Sequence, residues 1–183
     1  MELNTRRLLL RPLRDDDAPA LSQGLNNFKV SRNLTRVKYP YALADAEAFI
    51  TKQRGFDPRS VICAITFRAA PDEVIGIIAY EYRLGSEGAE FGYWLRECCW
   101  HMGLMSEAAA SLVHHAFTNG GAETLLSGYH ADNPNSGRIL QRVGFVETYR
   151  GRSFGLAQNC EVPTVKLRLT REDWLAQQKG RAA

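Results

Sequence analysis

Apolar and polar positions along this chain change period repeatedly, from the two-residue repeat of strands to the three-to-four-residue repeat of helices, and the changes mark out the elements. Arg7 to Leu13 reads as a first strand, with Pro12 stopping it. Arg14-Asp15-Asp16-Asp17 crowds carboxylates where a helix start would favour them, and a short helix through Ala18-Pro19-Ala20-Leu21 ends near Gly24. Asn26 to Tyr41 has no period and interleaves aromatic with basic residues, so it reads as irregular; a second helix spans about Leu43 to Lys52. The β-branched run Val61 to Phe67 and the apolar run Val74 to Tyr82, parted by Ala69-Ala70-Pro71-Asp72, predict a hairpin. Gly85 and Gly88 mark the next turn, and Glu90 to Leu95 makes a third antiparallel strand. A loop from Arg96 to Gly103 then delivers a helix that begins near Leu104. Its Leu104, Ala108, Leu112 and Ala116, with Ala109, Val113 and Phe117 beside them, form a wide apolar stripe that Asn119-Gly120-Gly121 stops.

Beyond that helix, Thr124 to Tyr129 reads as a strand and Pro134 to Val143 as a short helix. Phe145 to Gly151 and Val162 to Leu169 form a last hairpin, leaving Arg152 to Glu161 as a loop. Thr170-x-x-Asp173 caps a final helix through Trp174 and Leu175, and the polar end from Gln177 to Arg181 is expected to fray. Residues 1–183 are thus expected to form a single α+β domain, a mixed, mostly antiparallel sheet flanked by helices on both faces.

Composition narrows the classes. Hydrophobic residues at 45% and charged residues at 23% are ordinary for a globular chain long enough to bury a core. A net charge of +3 lacks the electrostatic footprint of nucleic-acid binding, though it suits a protein that receives a small polyanion. The N-terminus is polar and basic, and no apolar run approaches membrane length, so neither a signal peptide nor a membrane span is expected. Adjacent Cys98 and Cys99 do not form a disulfide framework; with His101 they are too close in sequence for a tetrahedral metal site, and Cys63 sits in an apolar run as a core residue. The expected location is the reducing cytoplasm.

The chemistry concentrates between Glu90 and Phe145. A strand that ends in a turn opening a helix presents unpaired backbone N–H groups and the positive end of the helix dipole, a cradle suited to a pyrophosphate. Glu90-x-Gly92-Tyr93-Trp94-Leu95, Trp100-x-x-Gly103-x-x-Ser106-Glu107-Ala108 and Asn133-x-x-Ser136 up to Gly144-Phe145 follow in that order. With Thr5-x-Arg7-Leu8-x-Leu10-Arg11-Pro12-Leu13 at the start and Lys166-Leu167-x-Leu169-Thr170-x-Glu172-Asp173-Trp174 at the end, the chain resembles the GNAT superfamily of N-acetyltransferases, in its RimJ/RimL-type (ribosomal-protein N-terminal acetyltransferase) branch.

The resemblance implies acetyl-CoA as co-substrate, its pantetheine lying along Tyr93, Trp94 and Leu95 in the gap between that strand and Thr124–Tyr129. Backbone N–H groups near Tyr93 and Trp94 would serve the oxyanion, and the turn Trp100, His101, Met102, Gly103, Leu104, Met105 and Ser106 would hold the pyrophosphate. Asn133 and Ser136 would bind the pantetheine arm. Glu90 is the candidate base, expected beside apolar Phe91 and Tyr93, with Glu81 its rival. Many family members carry a Tyr acid at the position of Leu140; here Ser136 is the nearest substitute. The turn also departs from the family, with Trp100 at its first position, His101 where Gly is frequent and Met105 at a small-residue position. The acceptor would be a primary amine, on a peptide or protein N-terminus or a small molecule, with Asn26 to Arg59 shaping its site. The alternative is a non-catalytic acyl-CoA-binding domain of the same fold. Exposed edges of the C-terminal hairpin offer a pairing surface for a homodimer.

Overall fold

The computed structural model describes residues 1–182. Strands β1 (Leu3–Asn4), β2 (Leu8–Pro12), β3 (Val61–Phe67), β4 (Ala70–Glu81), β5 (Ala89–Leu95), β6 (Thr124–His130), β7 (Val146–Gly155) and β8 (Cys160–Thr170) form one sheet. Its order is β1-β2-β3-β4-β5-β6-β8-β7, with every neighbour antiparallel except β5 and β6. Helices α1 (Ala18–Leu25), α2 (Phe28–Ser31), α3 (Leu43–Gln53), α4 (Leu104–Thr118), α5 (Pro134–Arg142) and α6 (Arg171–Ala182) complete the architecture.

The unbroken apolar runs of β3 and β4 follow from burial on both faces. Strand alternation sends Ile65 and Ile78 into a core with Leu112 and Phe117 of α4, and Ala64 and Ile77 into a second core with Leu21, Leu25 and Ile50 of α1 and α3. The mixed sheet with helices on both faces is therefore as expected. So is the core position of Cys63, whose thiol burial pushes up to about 12.

Several boundaries differ for identifiable reasons. The segment expected to be irregular contains α2, started by the Asn27 side chain, which accepts from the Lys29 N–H at 2.9 Å. Ala70, Pro71 and Asp72 belong to β4 rather than to a turn, since irregular register around Thr66 and Phe67 lets the hairpin close over fewer residues. Arg152 to Glu161, expected to be a loop, is mostly strand, and only 156–159 turn. β7 is an edge strand exposed on both faces, so it has no apolar alternation to read. The tail expected to fray stays helical, with the Gln177 side chain donating to the Gly144 carbonyl at 3.2 Å.

The three aspartates before α1 also do something other than expected. Asp15–Asp17 form a 3-10 turn, and Asp17 is turned inward to Arg11. Both side chains are nearly inaccessible, Arg11 at 1% and Asp17 at 3% exposure. Two guanidinium nitrogens meet the two carboxylate oxygens at 2.8 Å, Nε donates to the Pro71 carbonyl at 2.8 Å, and the Arg14 N–H donates to Asp17 at 2.7 Å. The pair ties β2, the start of α1 and the head of β4 together. Removing one partner strands a buried charge, so Asp17→Ala is expected to lose about 3–5 kcal/mol in urea unfolding, and Arg11→Met with Asp17→Leu to recover most of it. A loss below about 1 kcal/mol would mean that the pair behaves like a solvated one.

Candidate active site

The site begins where β5 and β6 part. They pair only at Ala89↔Leu125 and Glu90↔Leu126. β4 holds β5 along Glu90–Leu95, and β8 holds β6 along its full length, so beyond Glu90 the two strands follow different partners. The Ser127 hydroxyl donates to the Phe91 carbonyl at 2.9 Å where the ladder ends, and the Trp100 indole N–H donates to the Leu95 carbonyl at 2.9 Å. Since backbone direction alternates along a strand, the N–H and C=O of Tyr93, midway between those two, face the gap. The backbone of Trp94 faces β4 instead, so of the two N–H groups expected at the oxyanion only that of Tyr93 is turned toward it.

A turn leads from β5 into α4. His101 and Gly103 both adopt positive φ, 61° and 72°, and Gly103 starts the helix. The first recurrent helical bond is Glu107 N–H to the Gly103 carbonyl, which leaves the N–H groups of Leu104, Met105 and Ser106 without helical partners. The Met105 side chain is 5% exposed and belongs to the core, so its bulk lies away from these N–H groups. Arg7 braces the turn by donating to the Met102 carbonyl at 2.9 Å. Glu107 ties α4 to the β1–β2 turn by accepting from the Thr5 hydroxyl and the Arg7 backbone at 2.7 Å and the Arg7 guanidinium at 2.8 Å. Burial alone would push the Glu107 carboxyl up, but these bonds outweigh it and hold the group at about 2 against an ordinary 4.5.

On the other side of the gap stands α5. The Asn133 side chain caps it by accepting from the Ser136 N–H at 3.4 Å, and Pro134 fills the first turn. Gly137 allows close seating on β6, since a Cβ there would lie 2.5 Å from the Tyr129 ring. This places Ser136 beside β5, with its hydroxyl and its carbonyl each 3.0 Å from the Tyr93 hydroxyl. Leu140 is fully buried in the core.

Between β5, the turn and α5 lies a cavity of about 380 Å³. Every residue expected at the coenzyme lines it except Met102, whose side chain is turned to solvent. The sequence reading missed Arg138 and Arg142, one helical turn apart on α5 and facing the same cavity as the α4 N-terminus. Their spacing of four on a short helix after Asn133 was the available signal. Val30, Asn33 and Leu34 line the opposite wall.

Glu90 stands outside this cavity, at the fork, in surroundings unlike the apolar ones expected. Phe91 and Tyr93 point to the opposite face of β5, and the Glu90 carboxylate pairs with Arg36 at 2.7 Å and Arg83 at 2.8 Å. Arg83 also pairs with Glu81, which lies directly across from Glu90 on β4. Arg36 comes from the segment after α2, and that segment is pinned over the fork. His130 Nδ1 donates to the Arg32 carbonyl at 2.9 Å, the Arg32 guanidinium meets Asp132 at 2.5 Å, and the Leu156 N–H donates to the Thr35 carbonyl at 3.3 Å. His130 is 1% exposed, and its ring serves this anchoring.

The acetyltransferase (GNAT) domain family matches residues 7–146. The chain belongs to that family. It is 35% identical over 77 residues to the ribosomal-protein-serine acetyltransferase of Escherichia coli (strain K12), a match covering 41% of the chain and only 42% of that relative's length. It is 27% identical over 149 residues to the uncharacterized N-acetyltransferase YoaA of Bacillus subtilis (strain 168), covering 78% of this chain and 81% of that one. Its fold matches the structure of RimL, a ribosomal L7/L12 α-N-protein acetyltransferase in complex with coenzyme A, with a TM-score of 0.78 at 19% identity, over 93% of this chain and 98% of that one. Among the described residues, no helix is long and apolar enough to cross a membrane.

The turn and its brace give two tests. A Cβ at Gly103 would be strained at its positive φ, so Gly103→Ala is expected to weaken acetyl-CoA binding by roughly tenfold in calorimetry, while His101→Gly, which relieves the same strain, retains it. The depressed Glu107 carboxyl contributes stability that is complete above pH 4.5 and is lost as the pH falls toward 2. Glu107→Gln should therefore lower the urea midpoint at neutral pH and flatten its decline over that acid range; parallel pH profiles would show that the brace carries no stability.

Proposed function

We propose that this acetyl-CoA-dependent acetyltransferase acetylates a primary amine, with the α-amine of a peptide or protein N-terminus as the leading acceptor class and a small-molecule amine as the other. The observation that carries this reading is the fork between β5 and β6. One side opens on the cavity rimmed by the free N–H groups of α4, and the other on Glu90 beneath the Arg32–Arg36 segment. The Escherichia coli relative, named a ribosomal-protein-serine acetyltransferase, favours a protein acceptor.

In this mechanism the pantetheine arm lies along Tyr93, Trp94 and Leu95, held by Asn133 and Ser136. The phosphates sit at the turn, on the N–H groups of Leu104, Met105 and Ser106, where the helix dipole favours them. Arg138 and Arg142 add positive charge beside them. The amine enters from the acceptor side as an ammonium group and gives one proton to Glu90 through a water; the freed lone pair attacks the thioester carbon, the carbonyl electrons move onto oxygen, which accepts from the Tyr93 N–H, and the nitrogen releases its second proton to solvent water. Collapse breaks the C–S bond, sulfur takes the electron pair, and the Ser136 hydroxyl donates to it. Arg36 and Arg83 orient the Glu90 carboxylate.

Glu90→Gln tests the assignment, because glutamine keeps the shape but accepts no proton. Thiol release with an N-terminal serine peptide is expected to fall by about 10²-fold at neutral pH, with acetyl-CoA affinity by calorimetry unchanged. Undiminished turnover would remove Glu90 from the mechanism.

A further inference from the structure

We infer that Tyr93 is a positioning residue for the leaving group: its hydroxyl sets the direction in which Ser136 presents its proton to the coenzyme sulfur. This rests on the proposal above that Ser136 faces the sulfur, and extends it to a side chain so far credited only with backbone contacts.

The inference comes from proton counting. The Tyr93 hydroxyl lies 3.0 Å from two acceptors, the Ser136 carbonyl and the Ser136 Oγ. A phenol has one proton to give. If that proton goes to the carbonyl, the serine hydroxyl donates back to the phenol oxygen and has none left for sulfur. If it goes to Oγ, the serine proton is released to point into the cavity that both side chains line. Sulfur carrying the electron pair of a breaking C–S bond draws the serine proton toward it and favours the second arrangement. A hydroxyl that accepts one hydrogen bond is also a stronger donor of the next.

The surroundings suit this role. The Tyr93 ring is fixed edge-on against Phe91, with centroids 6.0 Å apart. Burial pushes the phenol up despite the Ser136 hydrogen bond, which keeps it protonated and available as a donor at every working pH. Leu140 is sealed in the core and offers nothing to the sulfur. Tyr93 does not lose its proton in the reaction; it steers the proton of Ser136, and the thiolate departs as the acceptor of that hydrogen bond.

The test uses coenzyme A itself and needs no acceptor. The thiol of coenzyme A bound to the full-length protein is titrated by thiolate absorbance in the native protein, Tyr93→Phe, Ser136→Ala and the double variant. Calorimetry on each confirms that the coenzyme is saturating. Ser136→Ala should raise the bound thiol's pKa by about one unit, and Tyr93→Phe by about half a unit. The double variant should match Ser136→Ala, since Tyr93 acts only through the serine. A more acidic phenol, difluorotyrosine introduced at position 93, preserves the packing and should shift the titration the other way.

No change in Tyr93→Phe or with difluorotyrosine, alongside a shift in Ser136→Ala, overturns the inference and leaves the Ser136 assignment standing. No change in Ser136→Ala overturns both. A double variant that titrates well above Ser136→Ala also overturns it, because Tyr93 would then contact sulfur directly.

Discussion

Everything at this site depends on two neighbouring strands that pair for two residues and then separate. A parallel pair that simply stopped would leave backbone donors and acceptors exposed in the middle of a sheet, at a cost of the order of 1–3 kcal/mol for each unsatisfied group. The protein manages the break locally. Ser127 and Trp100 satisfy the Phe91 and Leu95 carbonyls on either side, and the backbone of Tyr93 remains open between them. The gap is thus a sheet edge created inside the molecule, and an extended substrate arm can complete it as a strand would.

Keeping the gap open requires that each strand be held firmly on its other side. β5 belongs to the antiparallel stack through β4, β3 and β2, which the buried Arg11–Asp17 pair clamps to the first helix. β6 belongs to the C-terminal hairpin and carries α5 on its surface through the Gly137–Tyr129 contact. Glu107 and Arg7 then hold the start of α4 across the end of the gap. Two half-sheets with separate anchors therefore meet at one fork, and the residues of the proposed mechanism are divided between them. Glu90, Tyr93 and the turn come from one half, and Asn133, Ser136, Arg138 and Arg142 from the other.

The side of the fork proposed for the acceptor is built from ion pairs instead of apolar packing. Arg36 and Arg83 converge on Glu90, and Arg32 and Asp132 close the neighbouring edge. In the proposed mechanism an arriving ammonium group would meet carboxylates whose present partners are exposed guanidinium groups, in surface pairs that exchange readily. The segment carrying Arg32 and Arg36 is fixed at its base by His130 and at its tip by the β7–β8 turn, so its charges are presented from a defined position.

Most of the fold was readable from the chain because burial imposes a period. Apolar stripes mark α4 and the central strands, and Gly103, Asn133-Pro134 and Thr170-x-x-Asp173 mark helix ends by local chemistry that needs no distant partner. The residues that line the cavity between β5, the turn and α5 were readable for the same reason, lying along one strand, one turn and one helix start. β7 was not fully readable, since an exposed edge strand has no alternation to detect, nor was the role of Asp17, whose partner Arg11 is on another element. The surroundings of Glu90 were misread because its sequence neighbours Phe91 and Tyr93 face away, while Arg36 and Arg83 reach it from other parts of the chain. Arg138 and Arg142 on the cavity wall, and the Tyr93–Ser136 hydrogen bond between strand and helix, likewise appear only when the two half-sheets are brought together. Sequence alone determined most of the strands and helices and where a turn opens a helix with unpartnered backbone N–H groups, because those depend on local periodicity and backbone chemistry. Tertiary structure decided which charges and hydroxyls meet, because such contacts depend on the angle at which separately anchored elements converge.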